Sequence, residues 1–509
     1  MRKREDDDIR FTLEESPCGN ERNVEMFTGA QIGSLRARLA FAHRYRSALA
    51  ALYPHAQSRP FLENQTISFM IRILRFSLCL LLGHAVCFAA KSNADVPTEI
   101  AGKPVFNVMA QGAKGDGQTK DTAAFQKALD QCAKTGGGTV FVPPGFYLIG
   151  SITMGANTTL LLQGRANLLG SPDLNDYPLT RVRWEGEFSP GHRALISAEK
   201  VSHIAITGGG SIFGPPLTLS RLRNPRGPCL IEVSECNDVH LEGFTTQYQQ
   251  LWAIHLSLSE KIVTRNLTIR SVNFNGDGID ADSCRELLIE RCNIDTGDDA
   301  IALKSGRGME AVRLARPIED VTIRDCTLVS SIYAGLAIGT EISGGARRIR
   351  IENCIISGRQ NAIFIKSRDG RGASMEDITG ENLTIQNSPT FIGIDLTTKG
   401  IQATEPVPGD IEKWTLLKNV TFNNIKVHNV AELIVGQHIP AERPADGLTL
   451  TRISGDCEKG ITLANVINAK FAEINLTGFQ GPLFTMTNVK GIGFENGPAA
   501  TGESTTRAK

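Results

Sequence analysis

The stretch Asn275–Gly306, NGDGIDADSCRELLIERCNIDTGDDAIALKSG, contains two short apolar runs, each entered through Gly and Asp and set one repeat apart. Asp277 and Asp298 are 21 residues apart, about the length of one coil of a parallel β-helix, in which stacked strands lie roughly 4.8 Å apart. Three carboxylates, Asp277, Asp298 and Asp299, can then crowd onto one surface.

Four segments share one register: DGIDAD from 277, DAIALK from 299, AGLAIG from 334 and NAIFIK from 361. Ile279, Ile301, Leu336 and Ile363 form one column, and Ala281, Leu303, Ile338 and Ile365 a second, two residues on. Strand alternation turns both columns inward. Asp280, Asp282, Lys304, Phe364 and Lys366 therefore face out, giving an expected surface with a carboxylate cluster and two lysines.

The same periodicity extends along the chain as DVHLEGFTT, KIVTRNLTI, ELLIERCNI, DVTIRDCTL, RIRIENCII, DITGENLTI and NVTFNNIKV. Their anchors, Val239, Ile262, Leu287, Val321, Ile349, Ile378 and Val420, are 23 to 42 residues apart. Short strands at irregular solenoid spacing predict an all-β fold, a parallel β-helix whose coils carry loops of varying length. Phe125, Ala128, Leu129 and Cys132 instead follow helical spacing after Asp121, and predict an amphipathic helix plugging the open N-terminal end.

The 509 residues carry 54 basic and 54 acidic side chains, a balance that points away from nucleic acid and anionic membranes. From Met70, MIRILRFSLCLLLGHAVCFAAKSNA has the basic start and apolar core of a secretory signal, too short for a stable membrane span. The expected organisation is an upstream extension at 1–69, non-native or disordered, then a signal peptide at 70–94. A cap with the first coils follows at 95–160, the catalytic β-helix at 161–495 and a disordered tail at 496–509. Translation starting at Met70 explains the extension; a signal anchor with a cytoplasmic tail is the rival. The mature protein is expected to be secreted or periplasmic, and a monomer.

Cys292, Cys326 and Cys354 recur at one place in the repeat and predict a buried column of free thiols; no CxxC metal spacing occurs. His192 and His255 read as ordinary surface or packing histidines. Trp184 reads equally as part of a sugar-facing loop or as that loop's buried anchor.

Asp, Asp and Asp on stacked strands suit glycoside hydrolysis. One carboxylic acid protonates the leaving oxygen, others activate water, and crowding lets one of them hold a proton. For a lone Asp-Gly, capping a turn is the simpler role.

The chain resembles glycoside hydrolase family 28, the polygalacturonase family, over roughly residues 102 to 495. The family's N-T-D signature falls on Asn275-Gly276-Asp277, its G-D-D on Gly297-Asp298-Asp299, and the lysine of its R-I-K on Lys366. The GAKGDG, GTEISGG and DGRGA stretches are also similar. The resemblance implies a right-handed parallel β-helix and inverting hydrolysis of pectic polysaccharide or its oligomers without cofactor or metal. It further implies Asp298 as proton donor and Asp277 and Asp299 as activators of water; with the outward-facing Lys304 and Phe364 added from strand alternation, the expected substrate-binding set is Lys366, Asn275, Lys304 and Phe364. The chain departs from the family in two places: G-H-G becomes Tyr333-Ala334-Gly335, and the R-I-K arginine becomes Phe364. Losing half of the basic clamp opens a second reading, rhamnogalacturonan or terminal α-L-rhamnose as substrate. A non-catalytic polysaccharide-binding β-helix and a calcium-dependent lyase are further readings on the same fold.

Overall fold

In the computed structural model, residues 98–215, 225–397 and 413–494 are described. The expected upstream extension, signal segment and tail lie outside them. Strands dominate, and all but one hairpin join a single large sheet wound as a right-handed parallel β-helix. The anchor positions stack in the expected register, Val239 on Ile262, Ile262 on Leu287 and Leu287 on Val321. The column continues through Ile349, Ile378 and Val420. Each apolar side chain removed from water contributes about 1.5–3 kcal/mol, so the inward columns account for the winding.

Turns between strands need a residue with positive φ, a conformation that Asn tolerates better than most. Asn266, Asn353, Asn382 and Asn424 take it, with φ between 53° and 57°. Asn382 Nδ2 donates to Asn353 Oδ1 at 3.2 Å and Asn424 Nδ2 to Asn382 Oδ1 at 2.6 Å, so these turns are laced coil to coil. The next residue in each turn points inward. Cys292, Cys326 and Cys354 occupy that position as buried free thiols, with Cys292 N–H directed at Cys326 Sγ at 3.4 Å.

The helix Thr122–Lys134 buries Ala124, Phe125, Ala128, Leu129 and Cys132. Tyr147 meets Phe125 edge to face at 5.3 Å. Gln126 clamps Thr153 through both its amide atoms, fixing the helix to the first coils. Asp121 accepts the N–H groups of Lys114 and Gly115 at 2.7 and 3.0 Å, which ties the GAKGDG loop to the helix start.

Among the described residues, one pair of strands leaves the solenoid. Leu179–Trp184 and Glu187–His192 form a separate antiparallel hairpin, in place of the expected loop carrying Trp184. It folds over the outer face of the strands that carry the acidic residues.

Candidate active site

Ile254–Ser257, Ile279–Asp282, Ile301–Lys304, Ala334–Ile338 and Asn361–Lys366 lie side by side in parallel. Their entry turns pack closely because glycine stands where backbones meet. A Cβ on Gly278 would lie 2.4 Å from Ala300 O, and one on Gly297 would lie 2.2 Å from Asn273 O. Asn275, at φ 60°, aims its N–H at Asp298 Oδ2 at 2.8 Å.

Asp277, Asp298 and Asp299 converge, with one oxygen from each within 4.8 Å of the others. The same spacing would admit a cation. All three are buried, at 4%, 7% and 4% exposure. Asp299 is held by Ala334 N–H at 3.0 Å and by Lys366 Nζ at 3.1 Å. Asp298 accepts two backbone N–H groups, from Asn275 and from Asp299 at 3.0 Å. Burial and the neighbouring Asp299 charge nonetheless push its pKa up to about 7. Asp277 is raised well above the usual carboxylate range by burial and then by Asp280 and Asp298. Burial also raises Asp280, to about 6, against the opposing pull of Lys304.

Asp280 and Asp282 point away from the solenoid interior, as alternation requires, yet they are 0% and 1% exposed. The expected open surface is here a covered one. Arg183, reaching in from the hairpin, binds Asp282 through Nε at 2.8 Å and Nη2 at 3.4 Å, and Glu310 through Nη1 at 2.9 Å. Lys304 pairs with Asp280 and lies 3.9 Å from the centre of the Trp252 ring. Trp184 stacks on Trp252 at 3.9 Å and carries the Arg226 guanidinium on its other side at 3.3 Å. Trp184 thus anchors the hairpin to the floor of the site.

Phe364 stands outward beside Lys366, 5.4 Å from ring centre to Nζ, and packs over Ala302, Ala334 and Ala337. On the other side of Asp298, Phe274 meets Tyr333 edge to face at 5.7 Å and is 51% exposed. His192 is a packing residue, its Nδ1 2.6 Å from Tyr177 O. His255 is also buried, but it lies in register with Asp280, with Nδ1 3.5 Å from Glu232 Oε1. The structure therefore brings Asp277, Asp298, Asp299, Lys366 and the Asn275 backbone together and sets Phe364 at their edge. Lys304 is 6% exposed and turned to Asp280. Sequence reasoning missed Arg183, Trp252 and the place of His255. Only His255 had a legible signal, since AIHLS extends the shared register by one coil.

A coiled β-sheet carrying three convergent buried acids, with Asp277 and Asp298 both raised by burial and by neighbouring acids, defines a glycosidase of the polygalacturonase type. The chain belongs to glycosyl hydrolases family 28, whose sequence profile matches residues 132–465. A probable polygalacturonase of Vitis vinifera is 28% identical over 360 residues, 67% of this chain and 72% of that protein. An exopolygalacturonase from Thermotoga maritima superposes with a TM-score of 0.58 at 25% identity, over 80% of this chain and 95% of its own. A family 28 exopolygalacturonase from Yersinia enterocolitica shares the fold with a TM-score of 0.67 at 18% identity, over 77% and 79% of the two chains.

No helix among the described residues is long and apolar enough to cross a membrane.

Proposed function

We propose that the protein is exported and hydrolyses glycosidic bonds of pectic polysaccharide or its oligomers by inverting acid/base catalysis. The observation that carries this reading is Asp298. It is buried, held by two backbone N–H groups, raised to about 7, and set beside Asp299, whose charge Lys366 offsets. Asp298 gives its proton to the glycosidic oxygen as the bond to the anomeric carbon breaks. Water attacks that carbon from the opposite face and yields its proton to Asp277 or Asp299. The names of the relatives support a galacturonate-containing substrate, and the apolar segment after Met70 supports export.

Phe364 favours a second reading on the same site. An aromatic face stacks on a sugar ring, whereas an arginine would grip a carboxylate, so a rhamnose-containing or less charged pectic unit fits this edge of the cleft. Simple binding is disfavoured because it gains nothing from burying three carboxylates, which is costly without a chemical use.

The oxygens lie within 4.8 Å, tighter than the roughly 6.5–9.5 Å usual between carboxyl groups of inverting glycosidases and nearer the roughly 5–5.5 Å of retaining ones. The reading is therefore tested by proton NMR of the first-formed product from polygalacturonate, rhamnogalacturonan and an aryl rhamnoside. Release from one of the polysaccharides with inverted anomeric configuration is expected. Retention would overturn the mechanism, and no release from any of the three would overturn the activity.

A further inference from the structure

We propose that Lys304 is a positioning residue, which favours the ionised form of Asp277 by pairing with the adjacent Asp280 and does not itself grip the sugar. This rests on the hydrolytic reading above. In the sheet register Lys304 stands opposite Asp282, but Asp282 is taken by Arg183. Lys304 instead runs back over Ala302, a side chain small enough to leave it room, and meets Asp280 diagonally. Trp252 covers the ammonium at 3.9 Å, and Trp184 stacks on Trp252, so the lysine is 6% exposed.

The charges around this pair explain why a cation is needed there. Asp277 Oδ1 and Asp280 Oδ2 are both buried without a hydrogen-bond partner in the protein. Asp280, Asp298 and Asp299 all oppose ionisation of Asp277, and Lys304 favours it. His255, from the preceding coil, faces Asp280 with Glu232 beyond it. Glu341 acts on Lys304 and Lys366 from the far side, and Lys366 is engaged with Asp299. Without Lys304, Asp277 and Asp280 would be two buried carboxylates side by side, a situation in which one keeps a proton. Burial and its acidic neighbours already hold Asp277 well above the usual carboxylate range, and loss of the lysine would raise it further.

Lys304→Met keeps the length of the side chain and removes its charge. Its pH profile of kcat/KM on the best wild-type substrate should show the acidic limb moved up by about one pH unit, about a tenfold loss on that limb, with KM within about twofold of wild type. The double variant Lys304→Met/Asp280→Asn removes the opposing charges together, and its acidic limb should return toward the wild-type position. A tenfold rise in KM with an unmoved acidic limb would show that Lys304 binds substrate and would overturn the proposal. If Lys304→Met does not fold, the double variant decides: a limb displaced as far as the single variant's was expected to be, or a tenfold KM increase, rejects it. Wild type run in parallel separates the two levels, because its inactivity on all pectic substrates would refute the hydrolase reading instead.

Discussion

Lys366 Nζ lies 3.1 Å from Asp299 Oδ2, on the second acid of the Gly297-Asp298-Asp299 turn rather than the first. Two adjacent carboxylates are thereby made unequal. Asp299 is paired with a lysine, while Asp298 is met by backbone N–H groups and is pushed up to about 7 by burial and by Asp299 itself. Under the proposed hydrolysis, this difference in surroundings suits Asp298 to the role of proton donor.

The first consequence concerns pH. As the proposed donor, Asp298 must be protonated to act, so kcat/KM should fall about tenfold per unit above about pH 7. A pH–rate profile with no descending limb between pH 6 and 8 would exclude Asp298 as the titrating donor.

Stability should show the same group with its sign fixed by linkage. A carboxyl whose folded pKa is raised contributes stability below its unfolded value near 4, and loses it as pH rises through about 7. The difference in unfolding free energy between Asp298→Asn and wild type should therefore move in the variant's favour from pH 4 to pH 8, by on the order of 3–4 kcal/mol. Any constant cost of turning an amide toward the two N–H groups cancels in that comparison. Thermal melts at the two pH values measure it, and a gap that does not change with pH would contradict the assigned proton.

Arg183 ties the hairpin to the solenoid through a nearly fully buried pair, with side-chain exposures of 1% and 2% for Arg183 and Asp282. Arg183→Ala leaves Asp282 buried and unpaired, which costs about 3–5 kcal/mol. Denaturant unfolding should report that loss, and limited proteolysis should begin between 179 and 192. A variant as stable as wild type would mean that the hairpin is held by its other contacts, Trp184 on Trp252 and Arg307 on Glu187.

Specificity is tested at Phe364. It rests on Ala302, Ala334 and Ala337 and leaves its cleft edge apolar. Phe364→Arg should raise relative activity on long polygalacturonate over a rhamnose-containing oligomer. About tenfold or more is the scale expected, since one charge-assisted contact contributes about 1.5–3 kcal/mol. Unchanged preference would remove Phe364 from the specificity account.

Much of this architecture is legible in the chain because solenoid stacking converts sequence period into contact. Ile279, Ile301, Leu336 and Ile363 are neighbours for the same reason that they look alike, and Asp277 meets Asp299 because each lies two residues before one of those isoleucines. Phe125 and Leu129 declare a helix by spacing alone. Arg183 shows where that logic stops. Its hairpin leaves the repeat, so nothing in the period predicts that it will reach Asp282, 99 residues away in sequence. The burial of Asp280 and Lys304 follows from that cover and from Trp252, and was equally out of reach.

The most direct measurement is the turnover of Asp298→Asn on the best pectic substrate, with substrate binding followed separately by calorimetry. The amide preserves shape and removes the proton. Turnover should fall by roughly 100- to 10,000-fold, the range that general acid catalysis supplies, with binding within a few-fold of wild type. A change of less than about threefold in turnover would contradict the account, because the group proposed to protonate the leaving oxygen would then be dispensable.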